Sequence, residues 1–392
     1  MTNEDNMMDN EDADPNILTK TNDDHNPTEN GIKQKKIETA LVVNPTSSGG
    51  STGKDWETQF ARIGEVFDKE PKLVYTEKSG DGTTLTRELL NKGYQNIVAI
   101  GGDGTINEVV NGFFIEEPNN KFSDSFDDSG NTKKKREKRW KIKQQKVGYS
   151  TKFPKPALMI PLNPEASMGL LPSGTRNVLA KSLDLPQDIN ECCNNLVKSK
   201  TKKIDVITAT VTSTVLQGKS SRLVTRVFLN AAEIGVGAEI IDRSKKVRNK
   251  IKSRLLSTIA SVFVTLPAYE SNMSEVILDD GRERIRTKMT MAVIANGRFL
   301  GGGFKTAPKA DVSDGLLDLV ILKNSGSFKM VDDFVNLKDG DYSKEDDILY
   351  KQAKKVSIKS KERNVTVAID GEPIGILPAT FEVLHNALAI RV

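Results

Sequence analysis

The chain has 392 residues, 37% of them hydrophobic and 28% charged, enough apolar content for a large core shared among two or three domains of roughly 150 residues. Lys and Arg number 57 against 53 Asp and Glu, and a net charge of +4 excludes general coating of nucleic acid, so any electrostatic function must be local. No apolar run approaches the roughly 20 residues a membrane span needs, the acidic N-terminus does not read as a secretory leader, and two adjacent cysteines, Cys192 and Cys193, cannot build a disulfide framework or a zinc cluster. A cytoplasmic chain with two core thiols is expected. The two histidines, His25 and His385, sit in no Ser, Cys or Asp motif, which excludes a His-based triad. The chemistry must then rest on carboxylates, hydroxyls, backbone amides and a hard cation such as magnesium.

Residues 1–36 are polar and lack apolar periodicity, and they read as a disordered tail. ETALVVNP is a short strand ending at Asn44 and Pro45, followed by the loop TSSGGSTGK and a helix over about 55–68. PKLVYT reads as a second strand and GDGTTLTRELLNKG as a helix closed by Gly93. NIVAIGGDGTINEVVNGFF reads as a third strand turning through glycines into another helix. Strands alternating with helices predict a parallel sheet covered on both faces. The stretch of about 117–155 is acidic and then strongly basic, and reads as a flexible insert. Order resumes with ALMI and with MGLLPSGTRNVLAKSLDLP, and this α/β domain, 37–200, ends there.

Residues 201–392 read differently. KKIDVITATVT, RLVTRVFLNAAEIG, SEVILDD, RIRTKMTMAVIANG, LLDLVIL, KKVSIKS and NVTVAIDG are β-rich segments separated by turns, so a mostly antiparallel β domain follows, its last strand able to return to the first domain. One amphipathic helix is expected within about 237–268, its apolar half serving either core packing or a membrane-facing mouth.

Three loops carry candidate chemistry. In IVAIGGDGTINEVVNG a buried strand delivers Gly101, Gly102, Asp103 and Gly104 to a helix N-terminus, where exposed amides and the dipole favour phosphate. Asp103 inside such a loop is either a helix cap or a sign of magnesium bridging to a nucleotide phosphate. NPTSSGG and LPSGTRN end two further strands in the same manner, and the carboxyl ends of parallel strands are where α/β sheets bind ligands. A Walker A loop is excluded, because its first glycine would fall on Ser48 and its Ser or Thr on Asp55.

VVNPTSSGG, GGDGTINEVVNG and LPSGTRNVLAKSL resemble, in order and spacing, the diacylglycerol kinase catalytic domain family, which includes bacterial lipid kinases and sphingosine kinases. NGRFLGGGFKTAPKADVSDGLLDLVIL and AIDGEPI extend the resemblance into the second domain. The resemblance implies an α/β domain similar to NAD kinase and phosphofructokinase, a β-sandwich second domain, and a cleft between them. It implies ATP and Mg as cofactors. Asn44, Pro45, Thr76, Gly101, Gly102, Gly104, Thr105, Asn107, Glu108 and Thr175 resemble the ATP-contacting positions, and Asp103 the acid nearest the Mg-phosphate. Asp311, Asp314 and the Leu316 carbonyl resemble a structural magnesium site, with an Asp-Gly hairpin turn as the alternative reading of those residues. Asp370 and Glu372 resemble the acidic pair that supplies a general base, with the choice between them open.

The reaction implied is transfer of the ATP γ-phosphoryl group to a lipid hydroxyl, diacylglycerol-like or sphingoid-like. The alternatives are an NAD kinase-like enzyme with a soluble acceptor and a non-catalytic nucleotide-binding regulator. Val178 after Asn177 departs from the Asp found in many bacterial members. The implied partner is a lipid at a membrane surface, not nucleic acid. The basic insert around Trp140 reads either as a peripheral anchor at the inner membrane face or as a solvated run, and a homodimer is compatible with the resemblance.

Overall fold

A computed structural model describes residues 38–47, 60, 63, 70–117, 153–213, 222–241, 269–324, 342 and 346–392, apart from residues 175, 187, 199, 302 and 362–364. The tail of 1–36 and nearly all of the insert of 117–155 lie outside the described residues. So does the helix expected within 237–268 beyond its first turn, which runs to Ile241.

The parallel part grows from strands that are apolar on both faces. In β1 (Thr39–Val43), β3 (Asn96–Gly101) and β6 (Ser167–Pro172), Ala40, Val42, Ile97, Ala99, Met168 and Leu170 turn to one core. Leu41, Val43, Val98, Ile100 and Leu171 turn to the other. A sheet covered on both sides needs this doubling, which is why each strand reads as a continuous hydrophobic run. With β2 (Lys72–Tyr75) the order is β2-β1-β3-β6, all parallel. Helices α1 (Asp81–Asn91) and α2 (Asp103–Phe113) cover the first face. They meet at Gly112, where a Cβ would lie 2.4 Å from Cβ of Thr86. A short α3 (Val178–Ser182) precedes α4 (Ile189–Lys198), which packs Cys192, Cys193 and Leu196 on the second face. Both cysteines are buried, free thiols, and burial pushes each up to about 11. Of the helix expected over 55–68, Phe60 and Ile63 are described, helical and packed on this second core.

A small ribbon, β4 (Phe114–Glu116) with β5 (Met159–Pro161), closes the parallel part. The antiparallel part follows as β7 (Thr201–Ser213), β8 (Arg222–Phe228), β9 (Ala231–Gly235), β10 (Asn272–Leu278), β11 (Glu283–Ala295), β12 (Leu317–Lys323), β13 (Ile348–Ala353), β14 (Lys355–Ser360), β15 (Thr366–Ile369) and β16 (Glu372–Arg391). Their inward residues, among them Phe228, Ile234, Leu278, Ile294, Ile358 and Phe381, form a sandwich core. RLVTRVFLNAAEIG, read from sequence as one segment, is two strands. The amides of Leu229, Asn230 and Ala231 turn to the Asp370 carboxylate instead of a neighbouring strand, and β8 pairs β7 while β9 pairs β11 and β15.

β16 joins the two parts. Over 20 residues it pairs antiparallel with β15, β14 and β7, then parallel with β6 through Ala389 and Ile390, so that 14 strands share one continuous sheet. The fold is an α/β N-terminal part carrying a mostly antiparallel β sandwich.

Candidate functional site

A cleft of about 590 Å³ opens at the carboxyl ends of β1, β3 and β6. The three loops there hold one another. Asn44 donates from Nδ2 to Thr105 Oγ1 at 3.0 Å, and its Oδ1 accepts from the amide and hydroxyl of Thr46 at 3.0 and 2.8 Å. The backbones of the second and third loops approach closely, since a Cβ on Gly174 would lie 2.6 Å from Cα of Gly102. Glycine is required here by close approach rather than by φ. A Cβ on Gly101 would fall 2.5 Å from Thr105 Oγ1. Three sets of amides and hydroxyls therefore converge on one surface, the arrangement that binds phosphate oxygens.

Asn44, Thr76, Gly102, Asp103, Gly104, Thr105 and Glu108 line this cleft. The Glu108 carboxylate accepts from the amides of Gly80 and Gly82 at 2.8 and 3.0 Å and so holds the turn after Thr76. Asn107 is fully buried and donates to Asp370 Oδ2 at 2.9 Å, pointing away from the loops. Pro45 and Gly101 stand behind the lining, and Thr175 lies outside the described residues.

The acidic groups come from opposite walls. Asp103 Oδ1 accepts from the amides of Val178 and Leu179 at 2.9 and 3.4 Å, capping α3 rather than its own helix, while Oδ2 accepts nothing from the described residues. Burial raises its pKa. Asp370 and Gly371 both have positive φ, 44° and 83°, and form the tight turn between β15 and β16. Asp370 accepts from Asn107 and from the amides of Leu229, Asn230 and Ala231, and burial pushes it up to about 6. Glu372 leans across the cleft, its Oε1 3.4 Å from where a Cβ on Gly104 would sit. Its described cationic neighbour is Arg226, at 4.0 Å.

Residues 38–209 match the diacylglycerol kinase catalytic domain, and residues 230–392 match the YegS C-terminal NAD kinase beta sandwich-like domain. The chain is similar to diacylglycerol kinases across both of its parts. Diacylglycerol kinase of Staphylococcus saprophyticus is 24% identical over 343 residues, covering 87% of this chain and 90% of that one. Diacylglycerol kinase of Bacillus subtilis is 23% identical over 353 residues, covering 89% and 94%. The crystal structure of a diacylglycerol kinase from Bacillus anthracis has the same fold, with a TM-score of 0.57 at 20% identity over 92% of this chain and 98% of that one. With a diacylglycerol kinase catalytic domain over residues 38–209, the chain is a phosphotransferase with an alcohol acceptor.

Two features of this kinase site are not legible in the sequence. Glu233 and Arg176 line the cleft, yet NAAEIG reads as plain strand and the Arg of LPSGTRN as a flanking residue. The signal for Glu233 was a lone acid in an apolar segment, where a charge is expected only with a reason. Burial pushes Glu233 up to about 7, opposed by Arg176 and helped by Asp370.

Asp311, Asp314 and Leu316 lie apart from the cleft lining. Asp311 Oδ1 accepts from the Ser313 amide and hydroxyl at 2.9 and 2.7 Å, and Asp314 Oδ1 from the Leu316 amide at 2.9 Å, so the segment is a pair of Asx turns. Each carboxylate keeps its second oxygen clear of described partners. Burial raises Asp314, with the Asp311 and Asp205 carboxylates adding to the rise. Among the described residues no group of three or more His, Cys, Asp or Glu side chains has metal-holding geometry. His385 does have an acid in space: its Nδ1 is 2.8 Å from Oδ1 of the fully buried Asp205, which also accepts from the amides of Gly315 and Asn386. That pair is remote from the cleft lining, so it anchors the Asp311–Leu316 turn and forms no triad.

Proposed function

We propose that the chain is an ATP- and magnesium-dependent lipid kinase, transferring the γ-phosphoryl group to the free hydroxyl of a lipid. The observation that carries this reading is the meeting, across one cleft, of three backbone-amide loops with Glu372 on the opposite wall. Phosphoryl transfer asks the protein for positioning and charge stabilisation rather than covalent chemistry. The amides of residues 101–105 and the third loop suit the phosphates, and Asn44 with Thr76 suits the rest of the nucleotide.

Asp103 fits a role beside magnesium, because its side chain lines the cleft, with one carboxylate oxygen engaged in the fold and the other without a partner among the described residues. Bound there, magnesium would neutralise phosphate charge. Asp311 and Asp314 fit a second, structural ion, each having a carboxylate oxygen to offer, with the Leu316 carbonyl as the third donor. Of the acidic pair, Glu372 is the better general base. Asp370 already accepts four hydrogen bonds from the protein, whereas Glu372 faces Gly104 and is free to orient an acceptor hydroxyl and take its proton.

The lipid acceptor is supported by the relatives, proteins named diacylglycerol kinase that this chain matches over nearly their whole length. Among the described residues no helix is long and apolar enough to cross a membrane, so the lipid would be met at a membrane surface. The basic insert around Trp140, outside the described residues, suits such a surface, and deleting residues 117–155 should weaken liposome binding most at low salt. Purified protein given labelled ATP, Mg²⁺ and a panel of lipids, with NAD as the soluble acceptor, should label a lipid and not NAD. Labelling of NAD alone would replace this reading by the soluble one, and labelling of nothing would favour a non-catalytic nucleotide-binding regulator.

A further inference from the structure

Four acids in the described part have less than a tenth of their surface exposed, and three are fully committed. Glu108 accepts from Gly80, Gly82 and Ser79, Asp205 from Gly315, Asn386 and His385, and Asp318 from Tyr350 and Gln352. Glu233 is the exception. It is 8% exposed and lines the cleft, yet its carboxylate has no hydrogen-bond or ion-pair partner among the described residues. Its place is set from both sides, since its backbone pairs with Val293 of β11 and Ala368 of β15. Gly237 leaves it room, as a Cβ there would lie 3.2 Å from Glu233 Oε2 and 2.7 Å from Met291 Cε.

The surroundings say what such a carboxylate could meet. Ile241 and Leu300 line the same cleft and make its near wall apolar. Glu77, Asp103, Glu108, Asp370 and Glu372 share the lining with Glu233 against Lys78 and Arg176, so negative charge outweighs positive in the cleft. A buried carboxylate without a partner is costly, and a neutral hydroxyl would return only a hydrogen bond. A cation would return the hydrogen bond and cancel the charge.

We infer that Glu233 reads the acceptor, and that the acceptor it suits carries a protonated amine next to the hydroxyl that takes the phosphoryl group, with an apolar remainder. This inference rests on the lipid-kinase reading and narrows it to amino-alcohol lipids. Diacylglycerol offers no such amine, and beside it Glu233 would have to hold its own proton.

The test compares a long-chain 2-amino-1,3-diol with diacylglycerol in the same mixed micelles, for wild type, Glu233→Gln and Glu233→Asp. Wild type should favour the amino-alcohol. Glu233→Gln should lose roughly ten- to hundredfold in kcat/KM for the amine relative to its change for diacylglycerol, and Glu233→Asp should recover part of that ratio. An equal loss on both acceptors, or no loss on the amine, overturns the inference. Binding of the amino-alcohol is measured separately from turnover. Binding that needs Glu233 but leads to no phosphorylation supports the site while refuting the kinase reading; equal binding by wild type and Glu233→Gln overturns the site. Removing a buried charge does not threaten folding, so the glutamine variant remains a fair comparison.

Discussion

Asp370 and Glu372 are separated by one glycine, yet their surroundings give them opposite tasks. Asp370 receives three backbone amides and the Asn107 amide, and it is the reason the chain breaks between β8 and β9. Asp370→Asn turns an amide group toward those donors and should lower stability by about 2–4 kcal/mol in denaturant titrations. Glu372→Gln should keep stability within about 0.5 kcal/mol and reduce kcat by at least about a hundredfold. Glu233 makes a prediction in pH. Its folded pKa of about 7 stands above the ordinary glutamate value of 4.5, so the native state keeps a proton that the unfolded chain releases in between. The stability it contributes is complete below about pH 4.5 and is lost as pH rises through about 7. Asp370 acts in the same direction between 3.8 and about 6. Glu233→Gln should therefore melt several degrees above wild type at pH 8, with the difference closing toward pH 5. A difference of equal size at both pH values would contradict the burial argument.

At the scale of elements, α2 is fastened to β8 chiefly by Asn111, with Asn107 adding a longer bond to the same Val227 carbonyl at 3.4 Å. The Asn111 amide donates to the Val227 carbonyl at 2.9 Å and accepts from the Val227 amide at 3.0 Å, taking the place of a strand neighbour. Asn111→Ala would orphan the buried Val227 amide and leave its carbonyl only the longer bond from Asn107, and should cost about 1–3 kcal/mol, measured by chemical unfolding. Gly174→Ala would force the second and third loops apart at Gly102 and should weaken nucleotide binding about tenfold or more at a stability loss of about 1–3 kcal/mol. The strand-loop-helix units were legible because their residues carry two independent signals, a doubly apolar run and a glycine turn. Asn111 and Asn107 gave no such signal, since their partners Val227 and Asp370 lie 116 and 263 residues away. The same distance hid the β8–β9 break and the His385 to Asp205 contact. Strand β13 escaped because ILYKQA mixes polar and apolar residues without the alternation of a half-buried strand.

For the molecule as a whole, Ile37–Val392 is one compact unit, and β16 explains it by pairing with strands of both the sandwich and the parallel part. Removing Leu384–Val392 should abolish the cooperative thermal transition altogether rather than leave one half folded. The measurement closest to the central claim is transfer of labelled phosphate from ATP to micellar lipid by wild type and by Asp103→Asn. Asparagine keeps an oxygen for the Val178 and Leu179 amides, so folding and the third loop survive while the second carboxylate oxygen is lost. Wild type should transfer phosphate to lipid only with Mg²⁺ present, and Asp103→Asn should fall by at least about a thousandfold with an unchanged melting curve. Turnover by Asp103→Asn close to wild type, or transfer undiminished when Mg²⁺ is chelated, would contradict the account.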